Sequence, residues 1–61
     1  MKKLSELAEL DRIKTKDGRI GTVMLIMQTS ENDIGLCIEF DDAAPETETI
    51  DLNKVAEIIL N

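Results

Sequence analysis

The sequence predicts an all-β chain, a small five-stranded barrel preceded by a short helical turn. Three observations carry this. Asp17-Gly18 sits between alternating β-formers, Ile13-x-Thr15 before it and Ile20-x-Thr22-Val23 after it, and such a pair is the strongest short-range hairpin signal. Ile34 to Phe40 alternates apolar and other residues over one strand length. The tail is rich in the β-branched residues Val55, Ile58 and Ile59, which favour a pleated surface.

Residues 1–10 form an amino-terminal helical or extended segment, and residues 11–60 form the barrel of a single domain. Leu4, Leu7, Ala8 and Leu10 fall at helical spacing. Ser5 is followed three positions later by Ala8 and not by the Glu of a capping box, so one or two turns are expected, laying the leucines over an open end of the barrel. From Asp11 to Lys16, Ile13 and Thr15 share one face, and Arg12, Lys14 and Lys16 share the other. Asp17-Gly18 then turns the chain, as a two-residue type I′ loop. Arg19 to Gln28 returns antiparallel, with Gly21 marking a bulge or bend.

That return strand is apolar on both faces: Val23, Leu25 and Met27 alternate with Ile20, Met24 and Ile26. It is therefore either bent, serving the core and then its far edge, or covered by another element or subunit. After a polar loop, Ile34, Leu36, Ile38 and Phe40 face inward, with Gly35, Cys37 and Glu39 outside. A second loop, Asp41 to Glu46, precedes a strand from Glu48 to Leu52 that buries Ile50 and Leu52. The tail fits two periods. Leu52, Val55, Ala56, Ile59 and Leu60 suit a helix capped by Asp51, whereas Ala56, Ile58 and Leu60 suit a strand after a turn at Asn53-Lys54-Val55. Branching at Cβ and the need for a closing strand favour turn plus strand.

Composition bounds the function. A chain of 61 residues makes one domain, and at this size only about 60% of the unfolded surface is buried. With one cysteine and no histidine there is neither an intrachain disulfide nor the donor set of a zinc site. No secretory h-region or membrane-length apolar run is present, and a lone Cys37 fits a reducing compartment, so a cytoplasmic protein that engages no membrane is expected. Net charge is −6, unevenly spread. Residues 1–30 hold six bases and four acids, for +2, and residues 31–61 hold one base and nine acids, for −8. Such polarity bears on partners and solubility more than on fold.

The meander with a single turn before its last strand resembles the Src-homology-3-like barrel. Within it, Ile13-x-Thr15-x-x-Gly18-x-x-Gly21-x-Val23 resembles a shortened KOW motif, the hairpin of some ribosomal proteins and transcription elongation factors. Leu4-Ser5-Glu6-Leu7 with Asp11-Arg12-Ile13-Lys14 is similar to small bacterial and phage domains of unknown function that have this barrel. The KOW resemblance implies RNA or ribosome association, for which Arg12, Lys14, Lys16 and Arg19 are the candidate phosphate contacts. This chain lacks the longer basic insertion between Gly18 and Gly21, has no Tyr or Trp for base stacking, and is acidic elsewhere. A solvated strand face is the simpler reading of those four residues.

The acids Glu39, Asp41, Asp42, Glu46 and Glu48 lack the spacing of a calcium loop and read as a solvated rim. Without a histidine, or a Ser or Cys beside a base, no catalytic residue, cofactor site or metal site is assigned. The expected function is a non-enzymatic interaction module that binds another protein or its own copy. Met24, Ile26 and Met27 are the candidate interface; the competing reading is that they complete the core beneath the amino-terminal leucines.

Overall fold

Alternation becomes five strands in the computed structural model, which describes residues 3–59. These are β1 (Arg12–Thr15), β2 (Ile20–Gln28), β3 (Ile34–Phe40), β4 (Glu48–Asp51) and β5 (Val55–Ile59). All ladders are antiparallel, in the order β4-β3-β2-β1-β5. β1 to β4 make a meander, and β5 returns to the outer side of β1. β4 and β5 are linked by one 3-10 turn, Leu52–Lys54, and not by a ladder of their own among the described residues. The Asp51 carboxylate accepts from the Asn53 N–H at 3.0 Å and caps that turn. No helix follows the cap, because Val55, Ile58 and Ile59 continue as strand.

The core is Ile13, Val23, Leu36, Ile38, Phe40, Val55 and Ile58, with Leu7, Ile26, Ile34, Ile50 and Leu52 packed half-buried against it. The inward face expected of β3 is the observed one. Three local features depart from expectation. The hairpin loop has three residues, Lys16-Asp17-Gly18, in place of a two-residue type I′ turn. The Thr15 N–H donates to Arg19 O at 2.8 Å, the Gly18 N–H donates to Thr15 O at 3.0 Å, and of the loop residues only Gly18 has positive φ, at 92°. The Thr15 hydroxyl donates to the Asp17 carboxylate, which holds Asp17 without the left-handed conformation that an L-residue resists.

Second, the bulge of β2 lies not at Gly21 but between Val23 and Leu25, where Met24 is the extra residue. Gly21 serves close approach instead: a Cβ there would stand 2.7 Å from Ile38 Cγ2 and 2.8 Å from Glu39 O. A second register shift, at Lys14/Thr15 opposite β5, leaves Ala56 unpaired and exposed, so Val55 and Ile58 turn inward where Ala56 and Ile58 were expected. Leu60, the third residue of that expected face, lies outside the described residues.

Third, the amino-terminal turn is a 3-10 turn, Leu4–Glu6, and only part of the leucine set covers the core. Leu7 packs on it, Leu4 is 38% exposed and Leu10 is 72% exposed. The cause is a turn over Ala8–Asp11. The Asp11 N–H donates to Ala8 O at 3.2 Å, the Ala8 N–H donates to the Asp11 carboxylate at 2.8 Å, and Leu10 takes φ 75°. Such a turn swings the Leu10 side chain into solvent.

Candidate functional site

The bulge at Met24 shifts the phase of β2. Before it the odd positions Gly21 and Val23 face inward; after it Ile26 is the residue packed on the core, and both Met24 and Leu25 are left outside. Of the three residues expected at an interface, Met24 is 41% exposed, whereas Ile26 is half-buried against the core and Met27 is half-buried. Leu25, 45% exposed, and Leu10 belong with Met24 and were not singled out from the sequence. Leu10 meets β2 at Val23, its N–H donating to Val23 O at 2.7 Å. Leu10 is thus tied by its backbone to Val23, the residue that precedes Met24 and Leu25, where the end of β1 leaves β2. No charged residue lies between Arg19 and Glu31 to break up that surface.

Below Leu4 and Leu7 lies an apolar groove of about 390 Å³, lined by those leucines with Ser5, Ile26, Ile34 and Leu52. It is the space left by an incomplete leucine cover. A second groove, of about 500 Å³, is lined by Phe40 and Ile50 together with Lys16, Asp17, Arg19, Glu48 and Lys54. Its charges are of both signs. Thr15, 5% exposed, has its hydroxyl engaged by Asp17 and by the Arg19 N–H at 3.0 Å.

The four bases of the hairpin do not form one uniform patch. Lys14 and Lys16 are exposed. The Arg12 guanidinium donates to both carboxylate oxygens of Asp41, at 2.8 and 2.6 Å, and to Thr22 Oγ1 at 3.0 Å. Arg19 donates to Asp42 at 3.2 and 3.0 Å and to Glu48 at 3.3 Å, while its guanidinium lies 3.8 Å over the Phe40 ring. These contacts favour the charged forms on both sides. Hydrogen bonding from Arg12 holds Asp41 below the ordinary carboxylate range, and hydrogen bonding from Arg19 does the same for Asp42. The arginines are raised in turn. Asp17 is lowered, chiefly by the Thr15 hydroxyl.

Three members of the acidic rim, Asp41, Asp42 and Glu48, are therefore arginine partners and not merely solvated charges. A spacing of 23 to 29 residues between partners hides such pairs from a linear reading. Among the described residues no group of three His, Cys, Asp or Glu side chains converges as a metal site, and no helix is long and apolar enough to cross a membrane. Comparison with models of known protein families, with curated proteins and with solved structures finds no match to this chain.

Proposed function

We propose that this chain is a non-enzymatic interaction module that binds another protein through the apolar surface at the β2 bulge, with Met24 and Leu25 at its centre and Leu10 beside them. One observation carries the reading: Leu10, Met24 and Leu25, at 72%, 41% and 45%, are the most exposed of the large apolar side chains among the described residues. Leaving them in water forgoes burial of about 25 cal/mol for each Å² of apolar surface, and a contiguous exposed apolar surface marks an interaction site. The meander and its single turn before the last strand fit the Src-homology-3-like barrel that the sequence resembles. On that reading the barrel is a scaffold that displays a bulged strand, in a protein of the cytoplasm.

Light scattering after size-exclusion chromatography, across a concentration series, tests the self-association branch. Cross-linking in cell extract, comparing the native chain with a Met24→Glu/Leu25→Glu variant, tests the heterologous branch. The expected result is a specific adduct or higher mass for the native chain that the folded variant loses. Identical behaviour of the two chains would overturn the proposal. The KOW-type alternative requires Arg12 and Arg19 to exchange Asp41, Asp42 and Glu48 for phosphates. Salt-dependent RNA binding lost on neutralising Arg12, Lys14, Lys16 and Arg19 would favour it instead.

A further inference from the structure

We infer that the second half of β2, Met24–Gln28, is an acceptor edge to which a partner adds an extended, uncharged apolar strand with basic ends. This rests on the protein-binding reading above and names its mode. β1 runs beside β2 only as far as Val23: Arg12 is opposite Thr22, the Val23 N–H donates to Asp11 O at 2.9 Å, and the Leu10 N–H donates to Val23 O. The Ala8–Asp11 turn then carries the chain away. β2 continues to Gln28 paired with β3 alone, and among the described residues no other backbone bond reaches its far side.

Bonded pairs alternate along an antiparallel ladder. The Thr29 N–H donates to Asp33 O at 3.0 Å. Counting back through Met27 opposite Gly35 and Leu25 opposite Cys37 turns those two residues' backbone groups toward β3. Ile26 and Gln28 therefore direct their N–H and C=O outward. Open edges are ordinarily blunted by charge, proline or cover. The edge strands β4 and β5 carry Glu48, Asp51 and Glu57, but Ile20 to Ser30 contains neither a charge nor a proline.

Charge identifies the occupant. The open stretch is flanked by Glu9 at one end and by Glu31 and Asp33 at the other, on a chain of net charge −6. A second copy added antiparallel would set the Glu9 end of one chain against the Glu31–Asp33 end of the other, like charge on like. A partner strand with Lys or Arg at its ends meets opposite charge at both. Backbone bonds supply affinity in such strand addition, and alternate side chains supply selectivity.

The test is amide NMR of the ¹⁵N-labelled full chain titrated with the peptide Lys-Lys-Val-Thr-Val-Thr-Val-Lys-Lys. The expected shifts centre on the amides of Ile26 and Gln28. Methylating the peptide's alternate backbone nitrogens, or substituting Gln28→Pro in the chain, should weaken binding at least ~tenfold. A Glu-flanked peptide should bind at least ~tenfold more weakly, the gap closing near ~1 M salt. Equal binding of the methylated peptide, with shifts at Met24 and Leu25, would overturn strand addition while leaving the apolar surface as the binding site. No shift with millimolar Lys-flanked peptide would overturn it too, whereas the protein-binding reading falls only if the cross-linking comparison also fails. Concentration-dependent shifts of Ile26 and Gln28 without peptide would make the occupant a second copy and overturn the assignment to a basic strand.

Discussion

The two halves of β2 are both uncharged and have different fates. Ile20-Gly21-Thr22-Val23 lies between β1 and β3, with Gly21 buried and Val23 fully so; Met24-Leu25-Ile26-Met27-Gln28 has β3 alone, and no residue of it is fully buried. Apolar content does not separate them, since the second half is the more apolar. What separates them is the number of neighbouring strands and the bulge that switches phase between them. The first half is structural because β1 and β3 flank it on both sides and bury Gly21 and Val23, although Ile20 stays 38% exposed. The second keeps apolar side chains and backbone groups that a partner can use.

Substitutions that break the contrast should act most strongly in the first half. Gly21→Val places branched methyls where even a Cβ would meet Ile38 Cγ2 and the backbone of Glu39 and Phe40. It should cost about 3 kcal/mol, enough to unfold a domain of this size, and circular dichroism with a thermal melt reads it. A native-like melt would show that the strands do not approach so closely. The sharper comparison is Val23→Ala against Leu25→Ala. The first opens a cavity in the core and should cost about 2 kcal/mol. The second trims a half-exposed residue and should stay within about 0.5 kcal/mol, while weakening partner capture. Urea titration of both variants measures the difference; equal costs would mean that the halves are not distinct.

Strand identity was legible because alternation and the Asp17-Gly18 turn are local signals. β3 was read at both ends, and the choice of strand over helix in the tail followed from Val55, Ile58 and Ile59. The displaced bulge was not legible. Gly21 is the obvious position for one, but whether it yields a bulge or a close approach depends on Ile38, Glu39 and Phe40 across the ladder. Once the bulge moves to Met24, Ile26 turns toward the core and Leu25 turns out, and the exposed apolar face read from strict alternation shifts by one residue. Likewise Leu10 fitted a helical stripe until the Asp11 carboxylate, by capping the Ala8 N–H, closed a turn instead.

Leu10 offers a smaller and more diagnostic effect. A leucine at φ 75° is held where L-residues are strained by about 1–2 kcal/mol, and it is also the most exposed large apolar residue among those described. Neither property helps the fold. Leu10→Gly relieves the strain and, after the added freedom of the unfolded chain, should stabilise the protein by about 0.5–1 kcal/mol, raising the melting temperature by several degrees. If Leu10 belongs to the binding surface, the same variant loses affinity as it gains stability. A gain in stability with unchanged binding would remove Leu10 from the interface.

The smallest effect is electrostatic and confined to the first half. Arg12, opposite Thr22 on β2, reaches Asp41, whose N–H donates to Ile20 O at 2.9 Å; Arg19 reaches Asp42 and Glu48. These pairs tie both flanks of Ile20–Val23 together and do not include Met24–Gln28. Asp41 and Asp42 are held below the ordinary carboxylate pKa by their arginines. Their contribution is therefore present above the unfolded value, about 3.9, and is lost as pH falls from there through the lower folded values. The informative quantity is a difference between two chains under the same conditions. An Asp41→Asn/Asp42→Asn variant should be less stable than the native chain at pH 6, and the two should converge as pH drops below about 4. The effect is modest because the arginines are about a third exposed and the aspartates more than half exposed. Parallel melting curves across that range would mean that the arginine pairs add nothing to the first half, leaving its two neighbouring strands as the whole difference between the halves.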